Sequence, residues 1–222
     1  MEAWQPQIRK LALTNWGEGQ RVFAVAGVDA QSGVSTLCEG LASFAARSGQ
    51  RTVLLDMSRP IGSAADGWRL DCEPGSLMRR DPAGFDRLAV AGEMDGRSVT
   101  DITRLRRGID QLGAFDSIVV DIAPLREIGT RAVDGPAAAA ACGRIHVVAL
   151  AGQIDRAAFA SAMSLLEASR IELAGLILND RFNPTLAAEL AREAGRLRIV
   201  APRLSRWLAR KALGSRFLSE RT

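Results

Sequence analysis

Residues 22–56, VFAVAGVDAQSGVSTLCEGLASFAARSGQRTVLLD, constrain the fold of this chain more than any other stretch. Residues 22–26 are a short apolar run, the character of a strand buried on both faces. A loop follows, with Gly27 at its start and Gly33 at its end. Ser35 and Thr36 then open a helix whose apolar residues Leu37, Cys38, Leu41, Phe44 and Ala45 share one face. Gly49 is a natural helix stop. Residues 52–55 form a second buried strand, which ends on Asp56. In a strand–loop–helix–strand unit of this kind, the loop N–H groups and the helix dipole converge where an anion can sit.

Phosphate-binding loops of the P-loop pattern carry a lysine after the last glycine and then a Ser or Thr whose hydroxyl reaches Mg²⁺. Gly33, Ser35 and Thr36 occupy the matching positions here. Val34 stands in the lysine position, and Val28 stands where the pattern has its first glycine. The frame of a nucleotide loop is present without its cation.

The rest of the chain repeats the alternation. Residues 1–20 form a polar lead-in, a short helix or arm with Ile8, Leu11 and Leu13 as its apolar positions. Residues 57–82, rich in Gly, Pro, Asp and Arg, read as a long irregular connection of the kind that often carries function. Strands are expected at residues 87–91, 117–120, 144–150 and 171–178, with a last short one at 199–200. Helices are expected at residues 98–112, 130–142 (after an irregular start), 155–169 and 184–197, with Ser98 capping the first of them. The fold class is therefore α/β: a single domain with a mostly parallel sheet and helices on both faces. The expected organisation is an arm (1–20), a domain (21–202) and a basic amphipathic tail (203–222).

At 222 residues and 47% hydrophobic content the chain can bury one full α/β core. The net charge of +4 permits contact with acidic lipid or nucleic acid and establishes neither. Three scattered cysteines, Cys38, Cys72 and Cys142, lack metal-ligand spacing and suit a reduced, cytoplasmic setting. No signal peptide or membrane-spanning apolar run is seen. His146, the single histidine, lies in an apolar strand and reads as a core residue, which leaves no nucleophile triad.

Ligands of such sheets sit at the carboxyl ends of the strands. Asp56, Asp121 and Asn179 end strands there, and Asp29 joins them through its loop. Two acids beside Gly33, Val34, Ser35 and Thr36 are an arrangement able to hold Mg²⁺ and a nucleotide. The plainer alternative makes Gly33 a turn, Ser35 a helix cap, and Asp56 and Asp121 surface caps.

Together, VFAVAG, GVSTLCEGLASFAARSGQRTVLLDMSRP, FDSIVVDIAP and GLILNDRFNP resemble the P-loop ATPases of the MinD/ParA class. The chain resembles most the cytoplasmic kinase domain of the bacterial tyrosine kinases of capsule and exopolysaccharide export, over about residues 21–202. The resemblance implies ATP or ADP with Mg²⁺ as cofactors. It implies that Gly33, Val34, Ser35 and Thr36 form the Walker A segment and that Asn179 lies near the adenine. Ser35, Asp56 and Asp121 would be the Mg²⁺ ligands, with Asp56 and Asp121 the catalytic acids. It implies as partners an inner-membrane polysaccharide co-polymerase or export protein and further copies of the chain, with the protein cytoplasmic or peripheral at the inner membrane. Nucleic acid is not an expected partner in that reading.

The chain departs from the resemblance at Val34, and at Asp29, which stands where the class has a signature lysine. Phosphoryl transfer depends on such cations, and losing one typically costs roughly 10²–10³ in rate. The sequence contains no tyrosine, so it has no tyrosine tail to phosphorylate. The arm keeps Glu2 and Arg9 of the family's subunit-contact pattern and places Pro6 among them. These features predict an accessory or regulator of polysaccharide polymerisation and export, with weak or no ATP hydrolysis. The alternative is an active MinD/ParA-type ATPase that positions cargo on membrane or DNA. A replacement cation could come from Arg59 or Arg126, which follow the two aspartates. In the tail, Leu204, Trp207 and Leu208 share one face with Arg203, Arg206, Arg210 and Lys211 around it, a pattern that suits an acidic bilayer and equally suits packing on the domain or on a partner.

Overall fold

A computed structural model describes residues 5–16, 19–61 and 67–180. The expected helix at 184–197, the strand at 199–200 and the tail lie outside the described residues. The chain divides into two compact units, Met1–Ala149 with Ile154–Asn179, and Leu150–Gln153 with Asp180–Thr222. The elements below belong to the first, apart from Leu150 at the end of the sixth strand.

The elements run α1 (Gln5–Trp16), β1 (Val22–Gly27), α2 (Val34–Arg47), β2 (Thr52–Asp56), β3 (Arg79–Arg80), β4 (Asp86–Ala89), α3 (Ile102–Gln111), β5 (Ser117–Ile122), α4 (Gly135–Cys142), β6 (Arg144–Leu150), α5 (Arg156–Ala168) and β7 (Glu172–Asn179). The strands form one seven-stranded sheet in the order β3-β4-β2-β5-β1-β6-β7. β1 pairs in parallel with β5 and β6, and β2 in parallel with β4 and β5. Only β3, among the pairings described, runs antiparallel to its neighbour.

The inner strands are apolar because both of their faces are covered. One face carries Phe23, Val25, Leu54, Val119 and Val148 against Leu37, Cys38 and Leu41 of α2, with Ile8 of α1 in the same cluster. The other carries Ala24, Ala26, Val53, Leu55, Ile118 and Val120 against Leu105 and Ile109 of α3, Ala138 of α4 and Leu166 of α5. α1 lies on α2 at Gly40, where a β-carbon would come within 2.5 Å of Ile8 Cδ1.

His146 is buried, stacked on Phe23 at 4.3 Å between ring centroids. Its pKa is pushed down to about 4, chiefly by burial. It packs as a neutral core ring.

The connection after β2 is less irregular than its composition suggests. Trp68 is fully buried and its indole N–H donates to Cys72 O at 2.7 Å. The Trp68 N–H donates to Ala89 O and its carbonyl accepts from Ala91 N–H, so the connection runs beside the end of β4. Arg104 of α3 holds Asp71, Glu93 and the Arg69 carbonyl together.

The cap of α3 differs from expectation. Asp101 accepts from the N–H groups of Thr103 and Arg104, whereas Ser98 Oγ donates to Arg131 O at 2.6 Å. A carboxylate one residue before the helix satisfies two orphan amides, and Ser98 lies too far upstream to do so.

Candidate functional site

The loop between β1 and α2 is tightly wound. A β-carbon on Gly27 would meet Asp29 O at 2.8 Å and Ser32 Oγ at 3.1 Å, and Ser32 Oγ donates to Asp29 O at 2.6 Å. Val28 is swallowed by the core, its N–H on Val148 O. That burial is why valine is tolerated where the pattern has its first glycine.

Gly33 caps α2 in the left-handed region at φ 89°. A β-carbon there would also come within 2.6 Å of the Asn179 amide nitrogen. Asn179, the buried last residue of β7, donates its Nδ2 to Ser32 O at 2.8 Å. The structure thus places Asn179 on the loop itself, 147 residues away in sequence.

The helix begins at Val34, and no side chain caps it. Ser35 is therefore inside the first turn, not the cap of the plainer alternative. Thr36 beside it is exposed. Val34 is almost fully buried, in the cluster that holds Phe23, Val25 and Leu37. The side chain at the lysine position has joined the core.

Asp121 stands in register with Asp56 on one side and Val25 on the other, on the sheet face that α2 covers. It lies within β5, one residue before its end, and is 4% exposed. It is not a surface cap. Its pKa is pushed up to about 7: burial dominates, the Asp56 and Glu39 charges add to it, and hydrogen bonding from Ser35 and Ser58 opposes it. No described residue donates to its Oδ1.

Asp56 is better provided for. It accepts from the Ser58 N–H at 3.1 Å, from Ser58 Oγ at 3.0 Å and from Arg59 Nε at 2.8 Å. Arg126 pairs with Asp29 at 2.8 Å. Both arginines considered as replacement cations are thus engaged with aspartates of the site. The Arg126–Asp29 and Asn179–Ser32 contacts, and the burial of Val34, had no local signal in the sequence.

A buried carboxylate oxygen without a donor, beside a helix-start hydroxyl and a tightly wound loop that leads into a helix N-terminus, suits Mg²⁺ carried on phosphate. Among the described residues no three His, Cys, Asp or Glu side chains group as metal ligands. Magnesium held here would draw most of its oxygens from phosphate and water, the usual arrangement for that ion. Ser35, Asp56 and Asp121 are the residues that would hold it. Bound Mg-nucleotide would supply the charge that lets Asp121 ionise.

The seven-stranded, mostly parallel sheet with its helices has the fold of solved P-loop ATPases of the MinD/ParA class. Solved structures with this fold include the kinase domain of the Escherichia coli tyrosine kinase ETK. It matches with a TM-score of 0.61 and 18% identity over 79% of this chain and 74% of that one. The BceF tyrosine kinase domain matches with a TM-score of 0.62 and 20% identity over 80% and 76%. The septum site-determining protein MinD from Pyrococcus horikoshii, complexed with Mg-ADP, matches with a TM-score of 0.52 and 15% identity over 72% and 70%. No protein-family model and no curated protein matches the sequence. Among the described residues no helix is long and apolar enough to cross a membrane.

Proposed function

We propose that this chain is a nucleotide-sensing relative of the polysaccharide tyrosine kinases. It would act as a cytoplasmic accessory or regulator of capsule or exopolysaccharide polymerisation and export, through an inner-membrane co-polymerase or export protein. The observation that carries the reading is the split state of the loop. Gly33, Ser35 and Asp121, whose buried Oδ1 has no donor among the described residues, keep positions that suit phosphate and Mg²⁺, while Val34 has withdrawn into the core. Binding through backbone amides and Mg²⁺ survives the loss of a lysine better than transition-state stabilisation does. The tyrosine kinase domains among the structural neighbours support the branch, and the absence of tyrosine argues against self-phosphorylation on that residue.

Calorimetry with Mg-ATP, paired with phosphate release, tests the reading. Binding is expected, with turnover at least about a hundredfold below that of lysine-bearing relatives. Turnover at their rate would discard it in favour of an active MinD/ParA-type ATPase, a reading to which the two arginines at the site lend support.

A further inference from the structure

The loop has an arginine at its mouth that nothing in the P-loop pattern supplies. Leu125 N–H donates to Gly27 O at 2.9 Å, which pins the connection after β5 to the first turn of the loop. The next residue, Arg126, reaches back to the loop, with its NH1 2.8 Å from Asp29 Oδ1. Asp29 is held at that crest by the winding of the loop, since its own carbonyl accepts from Ser32 Oγ.

We propose that Arg126 is the phosphate-binding cation of this loop and that Asp29 is its placeholder, so that a polyphosphate ligand takes the guanidinium over from the Asp29 carboxylate. The inference rests on the nucleotide-binding reading above. Three observations direct the choice to Arg126. Val34 is buried and uncharged. Arg59 is tied to Asp56, which Ser58 also grips. Arg131 is tied to Glu127 and to the Ser58 carbonyl.

The Arg126–Asp29 pair differs in being open to solvent, with both side chains 45% exposed. An exposed pair of this kind is weak. A guanidinium binds a phosphate through parallel N–H···O bonds at least as well as it binds a carboxylate. Exchange of one anion for the other therefore needs no rearrangement of the core. It also releases Asp29, whose charge would oppose the ligand unless it turned to solvent, so binding is a competition between the two anions. Ligands with more phosphate charge win that competition more readily, which makes the loop selective for di- and triphosphates.

The test is calorimetry on the full chain with Mg-ATP and Mg-ADP, using wild type, Asp29→Asn, Arg126→Gln, Arg126→Lys and the Asp29→Asn/Arg126→Gln double variant. Arg126→Gln is expected to weaken binding about ten- to hundredfold, the range for a lost hydrogen bond to a charged group. Asp29→Asn is expected to tighten it by about threefold or more, the double variant to match Arg126→Gln, and Arg126→Lys to fall between. Both side chains are half-exposed, and thermal melts of each variant verify folding; should Arg126→Gln fail to fold, Arg126→Lys and Asp29→Asn carry the comparison. Wild-type affinity in Arg126→Gln and Arg126→Lys overturns the proposal and leaves nucleotide binding standing. So does a loss of affinity in Asp29→Asn. Binding that emerges only in Asp29→Asn supports it, and no binding by any variant overturns it together with the nucleotide reading.

Discussion

Burial makes the Asp121 charge costly to the folded chain. Its folded pKa of about 7 lies well above the value of 3.8 it starts from, with burial the main cause. Below that starting value the group is protonated in both folded and unfolded chains and contributes nothing. Between the two values the folded protein keeps a proton that the unfolded chain has released, so stability falls as pH rises. Above about pH 7 the carboxylate is ionised in both states and the full cost is present. The gap from 3.8 to about 7, at about 1.4 kcal/mol per unit, is about 4 kcal/mol.

Asp121→Asn keeps the shape and removes the charge. Every other titrating group is common to both proteins, so their difference isolates this one. The variant is expected to gain on wild type by about 3 kcal/mol between pH 5 and pH 8.5, which is about 6–12 °C in Tm for a chain of this size. Ligand-free thermal and urea unfolding at the two pH values measures it. Mg-ATP should then stabilise wild type more than the variant, because bound cation relieves the same charge. Parallel pH profiles, or a variant less stable than wild type at pH 8.5, would refute the reasoning, since both would mean that Asp121 ionises in the folded chain without penalty.

Gly33→Ala forces a side chain into left-handed backbone and against the Asn179 amide; a loss of about 1–2 kcal/mol in urea unfolding is expected. Asn179→Ala in the same chain should return the steric part, and no recovery would show that the backbone alone sets the cost. Trp68→Ala empties a fully buried site in the connection after β2 and is expected to cost about 3–5 kcal/mol; a loss below 1 kcal/mol would mean the connection is not part of the core. Vesicles of acidic lipid separate a membrane-binding tail from one that packs on the domain or on a partner: a membrane-binding tail predicts that removing residues 203–222 abolishes pelleting, and equal pelleting with and without them rules out that role.

How far the sequence was legible follows from where each signal resides. The unit from β1 to β2 could be read almost residue by residue, because buried parallel strands are apolar runs and the helix between them has one apolar face. β3 was not legible: it has two exposed arginines and exists only because β4 pairs with it. The alternation also concealed the order in the connection after β2, whose anchors, Trp68 and Arg104, bind partners that no local pattern specifies. At the site, strand-end acids pointed to Asp56 and Asp121, yet both carry the same pattern and only the packing of α2 makes them unlike. Asp56 faces Ser58 and Arg59 and is satisfied, whereas Asp121, one strand further in, is buried with an oxygen unmatched. The loss of the lysine was visible, but its consequence was not. A valine there could have left a hole over the loop. Instead it extends the core under α2, and a guanidinium reaches the loop from the connection after β5, paired with an aspartate 97 residues away. A chain that had merely lost its site would have little reason to keep Asp121 buried and charged at alkaline pH. The unmatched oxygen therefore weighs against simple decay and in favour of a bound cation.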